Sequence, residues 1–137
     1  MEGMNKIINR IASLPMALKV LCLASGIIGS LQILGLFIPA VSPRANGMVL
    51  ESPLSVIAMG FIHLSLAWAI FRRMLLAIPV IIFIPVAQYG ILYIDMGLPS
   101  KDMVKQHLIF SGIWMVGFTV YFFAFKARQF FNGSKSA

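Results

Sequence analysis

Four long apolar runs, separated by short segments that hold most of the charge, fill nearly all of this 137-residue chain. With 60% hydrophobic residues, 11% charged residues and a mean hydropathy of +0.94, the chain has more apolar surface than a core of this size can hide, so the pattern predicts an integral membrane protein. A bilayer core about 30 Å thick takes roughly 20 apolar residues per helix, and four spans leave only short connections. The runs are continuous and too long for barrel strands, so they are expected to be helices. The expected fold is all-α: one transmembrane domain over residues 1–137, four helices in an up-down bundle, with no separate soluble catalytic domain.

Residues 4–14 place Met4, Ile7, Ile8, Ile11 and Leu14 on one helical face and Asn5, Lys6, Asn9, Arg10 and Ser13 on the other, as in an amphipathic helix lying on a membrane surface. Leu14-Pro15 breaks this helix, because proline disfavours helical geometry in the residue before it. The first span is then residues 15–38, with Lys19 reaching back to the headgroups. Its apolar stretch is longer than that of a signal peptide, and it is expected to be an uncleaved anchor. A loop carrying Pro43, Asn46 and Gly47 leads to Ser52-Pro53, a cap-then-proline pair that opens the second span at residues 53–71. Arg72-Arg73 is so short a link that the next span, residues 74–94, must fold back as a hairpin. Pro79 and Pro85 within it each remove a backbone hydrogen bond and are candidate hinges. Gly97 and Pro99 turn the chain, Ser100 caps the last helix, and the fourth span covers residues 103–125. An offset of 56 residues superposes Gln32 on Gln88, but the matches are near what two apolar sequences give by chance.

Charge sets the orientation. Lys6, Arg10, Lys19, Arg72, Arg73, Lys126, Arg128 and Lys135 would flank one side, against Arg44, Lys101 and Lys105 on the other. For loops this short the basic side is cytoplasmic, which puts both termini in the cytoplasm, and the compact build suits a bacterial inner membrane. The net charge of +7 is therefore read as a topology signal, with no nucleic-acid partner. Cys22 is the lone cysteine and supplies neither a disulfide nor a Cys-based metal site.

Within the spans the conspicuous polar side chains are Gln32, His63, Gln88 and Tyr89, with Ser25, Ser30, Ser65, Ser111 and Thr119 as minor members. Counted at 1.5 Å per residue from the outer ends, Gln32 and Gln88 lie roughly 9 Å deep and His63 roughly 14 Å, near the midplane. The two glutamines could meet across the bundle as interhelical hydrogen-bonding residues. Cys22, Ser25, Gly29 and Gln32 share one face of the first span, and Val56, Gly60, His63 and Ala67 share one face of the second; Ser25, Gly29, Gly60 and Ala67 are the expected packing surface. An ionisable group at mid-membrane raises a functional question. Held neutral there, His63 could relay a proton, contact a haem or quinone, or bond to Gln32, Gln88 or Tyr89, and the structural role is preferred. A haem between two histidines needs a second one at similar depth, whereas His107 belongs to the outer interface, so no cofactor is expected. Glu51, Asp95, Asp102 and His107 are metal-donor types without ligand spacing, and are read as solvated loop residues with no metal. Trp68, Tyr121, Phe122, Phe123, Phe125, Phe130 and Phe131 fit an aromatic belt.

No catalytic residues emerge: the chain lacks a Ser-His-Asp signature, a phosphate-cradling glycine loop, H-E-x-x-H and CxxC. No span carries a carboxylate, which argues against an antiporter acting as a single chain. The expectation is a non-enzymatic bundle that docks, within the lipid bilayer, on a larger membrane-protein partner or on copies of itself, as accessory, assembly or immunity-type proteins do. The alternative is a small transporter or channel, active as an oligomer, with Gln32, His63, Gln88 and Tyr89 lining the path. An enzyme acting on a lipid or quinone comes third, with His107 and Asp102 or Asp95 as its one candidate set.

Overall fold

Proline and glycine place several of the helix boundaries. The structure, a computed structural model, describes residues 2–38, 52–125 and 127–132. The helices are α1 (Glu2–Ala12), α2 (Met16–Gly35), α3 (Pro53–Phe71), α4 (Ala77–Met96), α5 (Lys101–Phe123) and the single turn α6 (Gln129–Asn132), with no strand among the described residues. Four of them, α2 to α5, are long and apolar enough to cross a membrane. The loop with Pro43, Asn46 and Gly47, and the expected positions of Arg44, Glu51, Lys126 and Lys135, lie outside the described residues.

Pro15 stands at the N-cap of α2 in an extended conformation, and α1 closes before it as the Ser13 hydroxyl donates to the Arg10 carbonyl at 2.8 Å. Pro53 opens α3, yet the Ser52 side chain makes no cap bond. That duty falls on Asp95 of α4, whose carboxylate accepts from the Ser52 N–H at 3.1 Å and from the Ser55 hydroxyl at 3.0 Å. An anion at a helix N-terminus is favoured both by the orphan N–H groups there and by the helix dipole. Gly97 ends α4 at φ +80°, a backbone that glycine adopts without strain, and Ser100 caps α5 by accepting from the Met103 N–H at 3.4 Å. Residues 72–76 form the turn between α3 and α4. Arg73 takes φ +56° there, at a cost of about 1 kcal/mol relative to glycine.

The closest helix pair is α2 with α3. A Cβ built on Gly29 would stand 3.0 Å from the Gly60 carbonyl oxygen and 2.9 Å from Leu64, and one on Gly60 would stand 2.7 Å from Ile33. Ile33 thus meets Gly60 while Cys22 meets Ala67, its thiol donating to the Ala67 carbonyl at 3.4 Å. Small residues let the two backbones approach closely, so that dispersion contacts build up along the pair. The core continues through Leu18, Leu66, Ile70, Ile81 and Phe122. It is closed by Phe131 of α6, which returns to pack on Phe122 with ring centroids 5.9 Å apart. Phe122 and Phe131 are therefore core residues rather than members of a surface belt, because the chain doubles back after α5. Trp68 stays exposed.

The candidate hinges separate in role. Pro79 sits in the first turn of α4, where a backbone N–H has no intrahelical partner in any case, so it removes no interior bond. Pro85 is inside the helix and deprives the Ile81 carbonyl of its donor. The Trp114 indole N–H of α5 donates to that same carbonyl at 2.7 Å, replacing the bond from a neighbouring helix.

Candidate functional site

The structure brings two of the four intramembrane polar candidates together. His63 is buried at 6% exposure, and its Nδ1 lies 2.9 Å from the Met59 carbonyl, one turn earlier in α3. A carbonyl can only accept, so Nδ1 carries the hydrogen. In the neutral ring Nε2 then has only its lone pair, and the Gln88 amide of α4 donates to it at 2.7 Å. Both nitrogens are occupied, leaving His63 no lone pair for a haem iron or metal. The pair ties α3 to α4.

Gln32 is half-buried, and its Oε1 is enclosed with no donor among the described residues. Tyr89 turns to another set of groups. Its ring stacks on the His107 imidazole of α5 with centroids 4.0 Å apart and planes 12° apart, and Phe110 meets it edge-on at 6.4 Å. The Tyr93 hydroxyl and His107 Nδ1 are 2.6 Å apart. His107 is thus paired with Tyr93, and Asp95 with the start of α3. Neither is the solvated loop residue expected from sequence: pairing has drawn both to half-burial. Among the described residues no three His, Cys, Asp or Glu side chains gather as a metal site.

The small-residue face lies where α2 and α3 meet. Ser25, Gly29 and Gly60 are buried and Ala67 is half-buried, its Cβ 3.8 Å from where a Cβ on Gly26 would be. A contrasting set of glycines faces outward. Cβ atoms on Gly90, Gly112 and Gly117 would meet nothing within 4 Å. Gly112 and Gly117 share a stripe of α5 with Ile109, Ile113, Val116 and Val120, spaced at three and four residues and exposed throughout; Ile113 is 70% and Val116 65% exposed. Of α5 only Ser111 and Phe122 are buried. An apolar crevice of about 260 Å³ separates it from α2, lined by Ala17, Ile113, Trp114, Gly117, Phe118 and Tyr121.

The opposite end from Asp95 is cationic. Arg10 of α1 donates through Nε to the Phe71 carbonyl at 3.0 Å and lies 5.2 Å from the centroid of that residue's ring. Arg73 donates through Nη2 to the Ser13 hydroxyl at 3.0 Å, lies 4.3 Å from the Phe130 ring centroid, and keeps its Nε enclosed without an acceptor among the described residues. Arg72 lies over Trp68 at 5.5 Å and Arg128 over Phe123 at 5.5 Å. Sequence patterning grouped these cations but did not show that Ser13, Phe71 and Phe130 would orient them. No family model, curated protein or solved structure matches the chain.

Proposed function

We propose that this chain is a non-enzymatic integral membrane protein. It crosses a bacterial inner membrane four times as an up-and-down bundle, with α1 on the surface and both termini cytoplasmic, and acts by helix–helix contact with a larger membrane partner. The membrane reading is supported by the apolar side chains left exposed along all four long helices, Ile27, Phe61, Phe83 and Ile113 among them, in a quantity a soluble monomer rarely shows. Orientation follows the basic end, where Arg10, Arg72, Arg73 and Arg128 gather.

The docking reading rests on α5. Its outer stripe is apolar, uncovered and interrupted by Gly112 and Gly117, so that a second helix can approach the backbone closely, in the same way that α2 approaches α3 through Gly29 and Gly60. The test is Gly112→Leu with Gly117→Leu. A Cβ at either position meets nothing within 4 Å, so an unchanged circular-dichroism spectrum and elution volume are expected while co-purification of a larger protein in mild detergent is lost. Unchanged recovery of that partner with the double variant would remove α5 as the docking face, and a wild-type protein isolated repeatedly without any partner would remove the docking reading itself.

A further inference from the structure

Among the described side chains the cationic end has no matching anion. Among the described side chains the carboxylates, Asp95 and Asp102, belong to the far end, where α4 finishes and α5 begins. Arg10, Arg72, Arg73 and Arg128, with Lys6 and Lys19 nearby in sequence, lie at the end where α1, the turn at residues 72–76 and α6 converge. Two of them are not free surface cations. Arg10 and Arg73 are half-buried, each fixed by a hydrogen bond and an aromatic ring, and linked through Ser13, which accepts from Arg73 and donates to the Arg10 carbonyl.

Arg73 also occupies a left-handed backbone position that glycine would fill without strain. A backbone cost borne at an arginine, at the end of the fold where cations collect, suggests that its side chain is kept for a ligand of opposite charge. A guanidinium carries five N–H donors in a planar fork suited to phosphate oxygens, and two arginines tied to one residue, Arg73 by its Nη2 and Arg10 by its carbonyl to Ser13, are placed to act on one phosphate as a clamp. The neighbouring face of α1 leaves Met4, Ile7 and Ile8 exposed, which sets acyl-chain contacts next to the charged groups.

We propose that Arg10 and Arg73 bind the phosphate of an anionic phospholipid headgroup, with α1 lying over its acyl chains. This rests on the membrane reading above. Wild-type protein in mild detergent is mixed with equal phosphatidylglycerol and phosphatidylcholine and examined by native mass spectrometry. Phosphatidylglycerol is retained preferentially. Arg73→Gly, which relieves the backbone strain, and Arg10→Gln each reduce that preference about fivefold, whereas Arg72→Gln, exposed over Trp68 and outside the clamp, retains it. Equal retention of both lipids by the wild type, or full preference in Arg73→Gly, overturns the proposal. Displacement of the lipid by millimolar inorganic phosphate also overturns it, since the ligand would then be a soluble anion. Alkaline carbonate extraction from phosphatidylcholine vesicles separates the two readings: protein that stays in the membrane without lipid preference refutes the clamp alone, and protein released in soluble form refutes both.

Discussion

The bond between Trp114 and the Ile81 carbonyl gives the sharpest test of how the bundle accommodates a proline. Pro85 has no N–H and its ring is fully buried, so the carbonyl four residues earlier has lost its helical donor, and the indole of α5 supplies one at 2.7 Å. Trp114→Phe keeps a ring between Phe110 and Phe118 and deletes that donor. An acceptor left unpaired in a buried setting costs about 1–3 kcal/mol, and measured side-chain hydrogen bonds in membrane bundles average about 0.6 kcal/mol with a maximum near 1.7, so the expected loss is about 1–1.5 kcal/mol. Pro85→Ala returns an N–H to the helix and makes the indole redundant. In that background Trp114→Phe should cost less by about 1 kcal/mol, and the double-mutant cycle cancels the cavity that the lost proline ring leaves. Reversible unfolding in mixed micelles of detergent and dodecyl sulfate measures all four stabilities. A coupling energy below about 0.3 kcal/mol would show that the indole does not replace the missing backbone donor.

The apolar runs and the proline and glycine punctuation made the four long helices legible, because helix length and composition are local properties of sequence. The tighter features were not local. Pro79 and Pro85 read alike as hinges, and only their distance from the start of α4 separates them, which depends on where the turn at residues 72–76 ends. The acceptor that Pro85 frees could have been inferred from sequence, since every interior proline orphans the carbonyl four residues back. That Trp114 would answer it could not, because 33 residues separate the two groups. His63 with Gln88 was one of several pairings the sequence allowed, and the choice depends on how α3 and α4 rotate about their axes. Asp95 and His107 read as solvated because charge alone says nothing of a partner; Ser55 and Tyr93 are what remove them from water. Sequence places Phe131 among the surface aromatics because a reversal after α5 leaves no periodic signal.

Two further changes probe the helix contacts. Gly29→Val places branched carbons where a single Cβ already stands 3.0 Å from the Gly60 carbonyl oxygen, a backbone atom with little room to move; an expected loss of about 2 kcal/mol in the same unfolding assay separates this close contact from a loose one, which would leave stability unchanged. Asp95→Ala removes the carboxylate that holds both the Ser52 N–H and the Ser55 hydroxyl across some 40 residues of chain. Hydrogen bonds to a charged group contribute about 1.5–3 kcal/mol when buried, and at half-burial the pair together is expected to supply about 2 kcal/mol. Asp95→Asn keeps one oxygen acceptor but loses the charge favoured by the N-terminus of α3, so it should fall between wild type and alanine. The local readout is hydrogen exchange in the first turn of α3, which should quicken in Asp95→Ala while the Gly29–Gly60 contact region stays protected. Unaltered exchange there would mean that α3 is capped by other groups and that Asp95 does not fix its start against α4.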